Sequence, residues 1–533
     1  MLKRRTFLKA LPAAAALSAP ALARPAFAQS SAAKTLRIIH TTNLNSLDPV
    51  AMSSPGSKDY GYLTFDQLTA VDETYVAQPQ MAEGWSVEDD GRSYVFGLRE
   101  GLRFHDGEPV RSQDCIPSIQ RWGVRDGSGQ MLMRFVDTME VIDDRKFRIR
   151  LKRPFRLLPD VIGKSGTAEC FMMPERMAKT DPMKPVGESI GSGPYRFLKD
   201  EWVPGARAAW AKFDDYVPRK EPVSDIAGGR IPASDRIEWS IINDSSTAMA
   251  ALQAGEQDYW DIVPPDLAPI MAASPDIKID IRAKLGGYQM LQFNHLQPPF
   301  NNAAIRRAVA MGIDQVEFQR AAVSDMSLIK PCYSVYPCGT PYASETGAEI
   351  LLVRSAEKAK VALNAAGYNG EKVVLLGTAD NEAMSAQSQF LQELLKQIGL
   401  NVELVLMDYA TMVQRRISRE LVGNGGWSLF VSGWMGSDIL NPAMNQMLRA
   451  GGTLSGWFGW ADDPELEALR DQWASAADPA EQLKLAAEIQ VQALKTIPYV
   501  PLGSRSTQSA YRGNVTGVFP ATANVYWNIG KRG

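Results

Sequence analysis

Strand and helix patterns alternate near the middle of the second half of the chain, and this alternation constrains the fold more than any other feature. The order is strand, helix, strand, helix, strand, over residues 373–376, 390–398, 402–406, 409–419 and 427–431. Gly399 follows the first of these helices and can end it in a left-handed conformation. A βαβαβ order predicts a mostly parallel sheet covered by helices, which places the chain in the α/β class.

Other segments carry local signals of the same kind. Aspartate followed by proline at 463–464 and 478–479 predicts two further helices, because aspartate caps a helix and proline is tolerated in its first turn. The first part of the chain instead has β patterns, with strands predicted at 35–39, 93–98, 102–104 and 147–151. A helix is predicted to begin near Asp114, with Ser112 as its N-cap.

The N-terminal residues have the pattern of an export signal. Two arginines at 4–5 precede an apolar pair, an alanine-rich stretch runs from 10 to 23, and Ala26-Phe27-Ala28 supplies a small-x-small cleavage pattern. We expect a twin-arginine signal peptide over residues 1–28, cleaved near Ala28, and a periplasmic protein. A membrane anchor is the alternative, but the apolar run is shorter than the ~20 residues that a spanning helix needs.

The remaining chain is large and acidic. About 505 residues exceed what one hydrophobic core supports, so two or three domains are expected. Because the first 28 residues hold five basic and no acidic side chains, the rest has a net charge of −8. Nucleic-acid binding needs clustered basic surface, and the balance of charge argues against that class of partner.

The four cysteines and three histidines give little sign of catalytic or metal chemistry. Cys332 and Cys338 flank a short loop in which a disulfide can form, although two unpaired thiols are the alternative. His105 lies in a predicted turn, where a locally bonded histidine is favoured over a metal ligand because no partner has ligand spacing. No familiar nucleophile, phosphate-binding or zinc motif occurs. A binding protein without cofactor or metal is therefore favoured over an exported hydrolase.

Glycine and tryptophan are concentrated where a ligand of an α/β protein is expected. Residues 423–459 contain nine of the 42 glycines, and Trp427, Trp434 and Trp457 lie in the same segment. Ligands bind beyond the carboxyl ends of the strands, and the strand at 427–431 leads directly into this region. Tryptophans can line a cleft, but an ordinary glycine-rich loop with tryptophans in the core remains the alternative.

Six further segments occur along the chain in a characteristic order. They are 46–49 (SLDP), 80–85 (QMAEGW), 98–107 (LREGLRFHDG), 191–195 (GSGPY), 252–258 (LQAGEQD) and the apolar and basic positions of 293–308. Together they resemble the dipeptide- and oligopeptide-binding family of ABC importers, the family 5 solute-binding proteins.

The resemblance implies a two-lobed fold of the type II periplasmic-binding-protein class, with an extra subdomain inserted into the first lobe. Lobe I is then expected at 29–60, 185–288 and 507–533, the inserted subdomain at 61–184 and lobe II at 289–506.

The resemblance also implies a ligand contact. Peptide binders of the family pair a carboxylate, four residues before a proline, with the α-amino group of the ligand, and Asp438 occupies that place before Pro442. The segment from Trp434 to Pro442 is one residue longer than the family pattern. A buried carboxylate is costly without a cation, although an aspartate can also cap a turn. Trp434, Gly433, Trp427, Trp457 and Asn294 are the other predicted ligand contacts, and capping is the alternative role of Asn294.

The expected mechanism is hinge closure of a monomer around a small molecule, which an ABC permease in the inner membrane then accepts. A peptide-like ligand is favoured by Asp438. Family relatives also accept oligosaccharides, opines, haem or metal chelates, so a non-peptide ligand is the alternative.

Overall fold

The computed structural model describes residues 34–51, 54–166 and 168–532. The predicted export signal and its cleavage point near Ala28 lie outside the described residues. Within the described ranges, no helix combines the length and the apolar character needed to cross a membrane.

Twenty-three strands and fifteen helices are numbered here in chain order, as found in the described residues. The strands are β1 Thr35–Ile39, β2 Asp66–Gln67, β3 Thr69–Val71, β4 Ala77–Pro79, β5 Ala82–Glu88, β6 Ser93–Leu98, β7 Val136–Asp143, β8 Lys146–Leu151, β9 Phe171–Met172, β10 Tyr195–Phe197, β11 Arg207–Lys212, β12 Arg236–Ser240, β13 Tyr259–Val263, β14 Ile277–Asp280, β15 Gly287–Phe293, β16 Ile329–Lys330, β17 Lys372–Thr378, β18 Asn401–Met407, β19 Leu429–Met435, β20 Tyr499–Arg505, β21 Gln508–Arg512, β22 Val515–Thr516 and β23 Gly530–Lys531. The helices are α1 Pro55–Thr64, α2 Ser112–Arg125, α3 Gly127–Phe135, α4 Leu158–Ile162, α5 Glu175–Ala178, α6 Ser245–Ala254, α7 Ala268–Ala272, α8 Ala303–Gly312, α9 Gln315–Arg320, α10 Ala356–Ala365, α11 Glu382–Ile398, α12 Tyr409–Arg415, α13 Gly452–Ser455, α14 Pro464–Ser475 and α15 Pro479–Thr496.

A seven-stranded sheet in the order β10-β11-β12-β1-β13-β21-β14 forms the centre of lobe I. The parallel pairs are β1 with β12 and β1 with β13, and the pairs outside them are antiparallel. All seven strands come from the segments predicted for lobe I. Strand β21 belongs to the C-terminal part of the chain, so lobe I is formed by segments that lie before and after lobe II in the sequence.

Lobe II contains a six-stranded sheet in the order β16-β20-β15-β19-β17-β18. Strand β17 runs parallel to β18 and to β19, as the βαβαβ pattern predicts. The expectation of a mostly parallel sheet is wrong, because the three pairs among β19, β15, β20 and β16 are antiparallel. Strands β15 and β20 are connected to lobe I and not to a crossover helix, so no crossover connection requires them to run parallel to their neighbours.

The inserted subdomain contributes a four-stranded antiparallel sheet, β5-β6-β8-β7, together with helices α2 to α5. Phe96 and Phe147 stack on one face of it with ring centres 5.4 Å apart. Two segments, 281–286 and 506–507, join the sheets of the two lobes. Strand β15 begins at Gly287, slightly before the predicted limit of lobe II, and the boundaries at other points stay a prediction.

Local capping signals mark the observed helix ends well. Asp463 accepts a hydrogen bond from the backbone N–H of Leu466 at the start of α14, and Asp478 caps α15 in the same way. Gly399 ends α11 in the left-handed conformation, with φ 109°. The helix predicted near Asp114 begins two residues earlier, at Ser112, and its N-cap is Arg111 and not Ser112 as predicted, because the Asp114 carboxylate accepts a hydrogen bond from the N–H of Arg111.

Three predicted elements differ from the structure. Residues 102–104 form no strand and contribute only a single bridge from Arg103 to Pro109, since a tight turn at Gly107 (φ 90°) follows at once. Helix α12 ends at Arg415, earlier than predicted, and β19 begins two residues later than predicted, at Leu429.

His105 joins the inserted subdomain to lobe I. Its Nδ1 accepts from the N–H of Gly191, and Nε2 lies 3.0 Å from the carbonyl oxygen of Gly193, to which it donates. Burial lowers the pKa of His105 to about 4, so the ring is neutral. The structure therefore gives this histidine the local bonding role expected for it.

Cys332 and Cys338 are joined by a disulfide at the edge of lobe II. The backbone N–H of Cys338 donates to the hydroxyl of Tyr288 on β15, which fixes the loop to the sheet. Cys115 and Cys170 are buried and are not joined by a disulfide.

Candidate functional site

A small pocket that is partly open to solvent lies between the inserted subdomain and lobe II. Its lining comes from Val71, Tyr75, Asp160, Lys164 and Ser165 on one side, from Ser437, Leu440, Asn441 and Met444 on the other, and from Thr522 near the C-terminus. Both sides carry polar groups, as expected of a site that closes around a polar ligand.

Asp438 lies in the 3₁₀ turn Gly436–Ile439, directly after the carboxyl end of β19. Its side chain is buried, and Oδ2 accepts from the backbone N–H of Met435 at 2.9 Å. Its Oδ1 is also buried but has no hydrogen-bond partner among the described residues. Turn capping therefore explains only one of the two oxygens. The other pays a desolvation cost that a ligand cation would offset.

Gly166 of the inserted subdomain faces Asp438 across the gap between the lobes. A Cβ atom on Gly166 would lie 3.2 Å from Asp438 Oδ1 and 3.4 Å from Lys164 Nζ. Lys164 is buried and forms an ion pair with Asp126, at 3.2 Å. Glycine at this position thus lets a carboxylate of one lobe approach an ammonium group of the other.

Glu169 is a second buried carboxylate beside Gly166. Its Oε1 accepts from the hydroxyl of Tyr62 at 3.1 Å and from the N–H of Gly166 at 3.2 Å. Its Oε2 has no partner among the described residues. Burial raises the pKa of Glu169 to about 7, and the opposing effect of Lys58 and Lys164 is smaller.

Lys58 on α1 interacts electrostatically with the carboxylates of both Asp438 and Glu169. Burial lowers the pKa of Lys58, but the carboxylates of Asp438, Glu169 and Asp59 outweigh this and raise it. Within the described ranges no carboxylate oxygen lies within 4.0 Å of its Nζ. The ammonium group therefore interacts with these carboxylates at longer range and forms no direct ion pair with a carboxylate of the described residues.

The charged cluster continues into lobe I through His40 at the end of β1. Its Nε2 lies 3.0 Å from Asp59 Oδ2 and 3.8 Å from Asp261 Oδ2, and its Nδ1 lies 2.8 Å from the carbonyl oxygen of Thr42. Burial lowers the pKa of His40, but Asp261 and Asp59 outweigh this and raise it.

The structure brings three of the predicted contacts together at the end of β19. Trp434 is half-buried and donates from Nε1 to Ser432 Oγ at 3.1 Å. Trp457 meets it edge to face, with ring centres 5.3 Å apart, and Gly433, which directly precedes Trp434 on β19, is exposed. This aromatic wall lies on lobe II, close in sequence to Asp438.

Trp427 and Asn294 are placed elsewhere. Trp427 is fully buried in the core of lobe II, and its Nε1 donates to the carbonyl oxygens of Arg416 and Ser418. The Asn294 amide donates to the carbonyl oxygen of Trp427 and accepts from the N–H of Leu296. Because their polar atoms are satisfied inside lobe II, the structure gives no support to either residue as a ligand contact.

Lys58, Lys164 and Glu169 are site residues that the sequence patterns did not reveal. One signal was available for two of them. Lys164 and Glu169 are the only charged residues between 161 and 174, in a stretch that is otherwise apolar or small. Charged groups in such a segment are buried only where they are paired or functional, which makes them candidates.

The sequence and the structure match known proteins over nearly their whole length. The family model described as bacterial extracellular solute-binding proteins, family 5, matches residues 76–455. The chain is 37% identical to a probable peptide ABC transporter periplasmic-binding protein of Sinorhizobium fredii, over 99% of each chain.

Two solved structures have the same fold. One is the periplasmic binding protein AgaA of A. tumefaciens R10 in complex with agropinic acid, with TM-score 0.77 and 24% identity over 92% of this chain and 96% of that one. The other is the periplasmic binding protein DppA of Helicobacter pylori in complex with the peptide STSA, with TM-score 0.77 and 20% identity over 95% and 100%.

These matches confirm the predicted two-lobed fold, and they indicate binding and transport rather than catalysis. The chain belongs to the family 5 bacterial extracellular solute-binding proteins, the binding components of ABC importers.

Proposed function

We propose that this protein captures a peptide or peptide-like small molecule in the periplasm and delivers it to an ABC permease in the inner membrane. The observation that carries the proposal is the buried Asp438 carboxylate, whose Oδ1 has no partner among the described residues and faces the opposite lobe. The similarity to a probable peptide-binding protein over the full chain supports the same ligand class.

Ligand capture proceeds by closure about the segments 281–286 and 506–507. Gly286 has φ 68°, a conformation that glycine adopts without strain and other residues rarely do. A ligand that touches Asp438 and the inserted subdomain together stabilises the closed arrangement only. About 5.5 kcal/mol of differential binding is enough to change a 1:99 population into 99:1.

The α-amino group of the ligand binds Asp438 in this proposal, and Trp434, Gly433 and Trp457 form the wall beside it. A charge-assisted hydrogen bond to a carboxylate contributes more than a neutral one, and it is stronger in a site from which water is excluded.

An opine-like ligand is the second candidate. The solved structure with agropinic acid has the same fold, with a TM-score equal to that of the peptide complex. Both candidates combine a polar backbone with charged groups, so the buried charges alone do not separate them.

Native mass spectrometry of the protein as purified tests the function directly, because a tight ligand is retained. Calorimetric titration with short peptides and with their N-acetylated forms tests the site. We expect Asp438→Asn to weaken binding of free-amine peptides roughly 10- to 150-fold and to leave the acetylated forms unaffected. Equal losses for both forms would exclude the amine contact, and hydrolysis of the peptides would exclude a pure binding role.

A further inference from the structure

The pocket beside Asp438 is bounded on one side by a tight hairpin loop of the inserted subdomain. The loop, residues 72–76, joins the antiparallel strands β3 and β4. Tyr75 has φ 66° in this loop, which lies in the left-handed region that a bulky side chain rarely adopts. Of the loop residues, Tyr75 is the one whose side chain lines the pocket.

The left-handed conformation of Tyr75 is held by Asp72 at the start of the loop. The carbonyl oxygen of Asp72 accepts from the N–H of Tyr75 at 2.9 Å. Asp72 Oδ1 accepts from the N–H and the hydroxyl of Thr74 at 2.8 and 2.7 Å, and Oδ2 accepts from Gln78 Nε2 at 2.8 Å. Strained residues persist only where neighbouring contacts fix them, and they cluster at binding sites. The loop therefore presents the Tyr75 side chain to the pocket in a fixed position.

The same loop is anchored to lobe I and to one of the segments that join the lobes. The N–H of Glu73 donates to Ser224 Oγ at 3.1 Å, and the Glu73 carboxylate lies 3.4 Å from Lys284 Nζ in the segment 281–286. Tyr75 therefore belongs to the lobe I side of the gap. Because the opposite wall of the pocket comes from lobe II, closure brings the two sides together around the group that occupies it.

Most polar groups of the lining are hydrogen-bonded within the protein. Asp160 Oδ1 accepts from a backbone N–H at 3.0 Å, and Thr522 donates its hydroxyl to a buried carboxylate at 2.8 Å. Asn441 Oδ1 accepts from two backbone N–H groups at 3.0 Å, and Lys164 forms the ion pair described above. Ser165 is the exception, because its buried Oγ has no hydrogen-bond partner among the described residues.

The rest of the pocket wall is apolar, and the space inside it is small. Val71, Leu440 and Met444 are buried, and the Tyr75 side chain completes the lining beside them. The cavity volume is about 20 Å³, and one water-sized group needs roughly 10–15 Å³ measured in the same way. The pocket therefore has room for one or two methyl groups and not for an aromatic ring.

We propose that this pocket receives the side chain of the ligand's N-terminal residue, that it selects a small aliphatic side chain such as that of alanine or valine, and that Tyr75 sets this size limit. The inference rests on the proposed peptide-binding function and adds the class of N-terminal residue to it. The α-amino group and the side chain of that residue leave the same Cα atom, and Asp438 directly follows Ser437 of the pocket lining. A larger side chain would have to displace the Tyr75 ring, whose backbone is held by Asp72.

Calorimetric titration of the purified protein with the dipeptides Gly-Ala, Ala-Ala, Val-Ala and Trp-Ala tests this. We expect Ala-Ala to bind about fourfold more tightly than Gly-Ala, because one methyl group leaves water. Val-Ala should bind at least as tightly as Ala-Ala. Trp-Ala should bind at least about tenfold more weakly than Ala-Ala, because a filled pocket resists a larger side chain.

Two variants assign the size limit to Tyr75. Tyr75→Gly removes the ring and keeps the left-handed backbone without strain, and it should lower the affinity ratio of Ala-Ala to Trp-Ala by at least about tenfold. Tyr75→Phe keeps the ring and should retain the wild-type ratio. Val76→Ala, a change at the exposed neighbour outside the lining, is the matched control. Circular dichroism with thermal melting establishes that each variant is folded.

The outcomes separate the two proposals. If Trp-Ala binds as tightly as Ala-Ala, or if folded Tyr75→Gly keeps the wild-type ratio, the size selectivity is wrong while the peptide-binding function stands. A uniform loss of affinity for all four dipeptides in Tyr75→Gly also contradicts the size limit, because the ratio is then unchanged. If none of the dipeptides binds and no ligand is found by native mass spectrometry, the proposed function fails, and the selectivity fails with it.

Discussion

Replacing Gly127 by alanine should weaken ligand binding without destabilising either lobe. Gly127 is the first residue of α3 in the inserted subdomain, and it packs directly against the side-chain amide of Gln446 in lobe II. A Cβ atom at this position would overlap Oε1, Nε2 and Cδ of that amide. The overlap exists only when the lobes are closed, so it raises the free energy of the closed state alone.

The magnitude follows from what Gln446 must give up in order to move. Its Nε2 donates to the carbonyl oxygen of Met444 at 3.2 Å, and its Oε1 accepts from Arg449 Nη1 at 3.1 Å. Two hydrogen bonds of about 1 kcal/mol each place the cost near 2 kcal/mol, which corresponds to roughly 30-fold weaker binding. Alanine is favoured over glycine in a helix by up to about 1 kcal/mol, so the melting temperature of the open protein should be unchanged or slightly higher.

Other contacts show that this interface is part of closure. Ser128 Oγ donates to the carbonyl oxygen of Ala443 at 3.2 Å, and Arg134 forms a 2.9 Å ion pair with Asp471. Each joins the inserted subdomain to lobe II. The lobes therefore cannot separate here without loss of these bonds.

Calorimetric titration with a peptide ligand, together with small-angle scattering with and without it, measures the effect. The double variant Gly127→Ala, Gln446→Ala removes the overlapping amide and should recover most of the lost affinity. Wild-type affinity in the single variant would show that the ligand-bound state does not need this contact. Failure of the double variant to recover would show that the loss has a different cause.

Three further predictions concern stability. Asp48→Ala should lower the unfolding free energy by about 3–5 kcal/mol in chemical denaturation, because the buried Arg121 loses the carboxylate that lies 2.6 Å from it. A loss below about 1 kcal/mol would show that this ion pair is dispensable for stability. The double variant Cys332→Ser, Cys338→Ser should lower the unfolding free energy by about 2 kcal/mol under non-reducing conditions, because the disulfide no longer restricts the entropy of the unfolded loop. If the two substitutions lower the unfolding free energy equally in reducing buffer, where the wild type has no disulfide, the loss does not come from loop closure. The third is a pH dependence. The pKa of Glu169 is about 7 in the folded protein and near 4.5 when unfolded, so folding takes up a proton between these values and stability falls as pH rises through that window. Glu169→Gln should remove about 3 kcal/mol of this fall, seen in denaturation curves at pH 4.5 and 7.5, and parallel curves for both proteins would refute it.

Local patterns in the sequence determined the secondary structure around the site. Helix caps at Asp463 and Asp478 and the left-handed end of α11 depend on residues a few positions apart, so their physics is contained in a short segment. The order of motifs along the chain was enough for the family and its two-lobed fold, which the matches confirm. The position of Asp438 after a strand end could likewise be read from the sequence.

The partners of Asp438 were decided only by the tertiary structure. Gly166 lies far from Asp438 in the chain, yet a Cβ atom on it would be 3.2 Å from Asp438 Oδ1, and Lys58 interacts with the same carboxylate electrostatically. Whether Trp427 or Trp434 faces the cleft also depends on packing, since both are tryptophans near the same strand and only one is enclosed by lobe II. The spacing of residues in the sequence specifies contacts within one helix or strand. Burial and charge balance instead arise from contacts between distant segments, and the candidate ligand site is formed by such contacts.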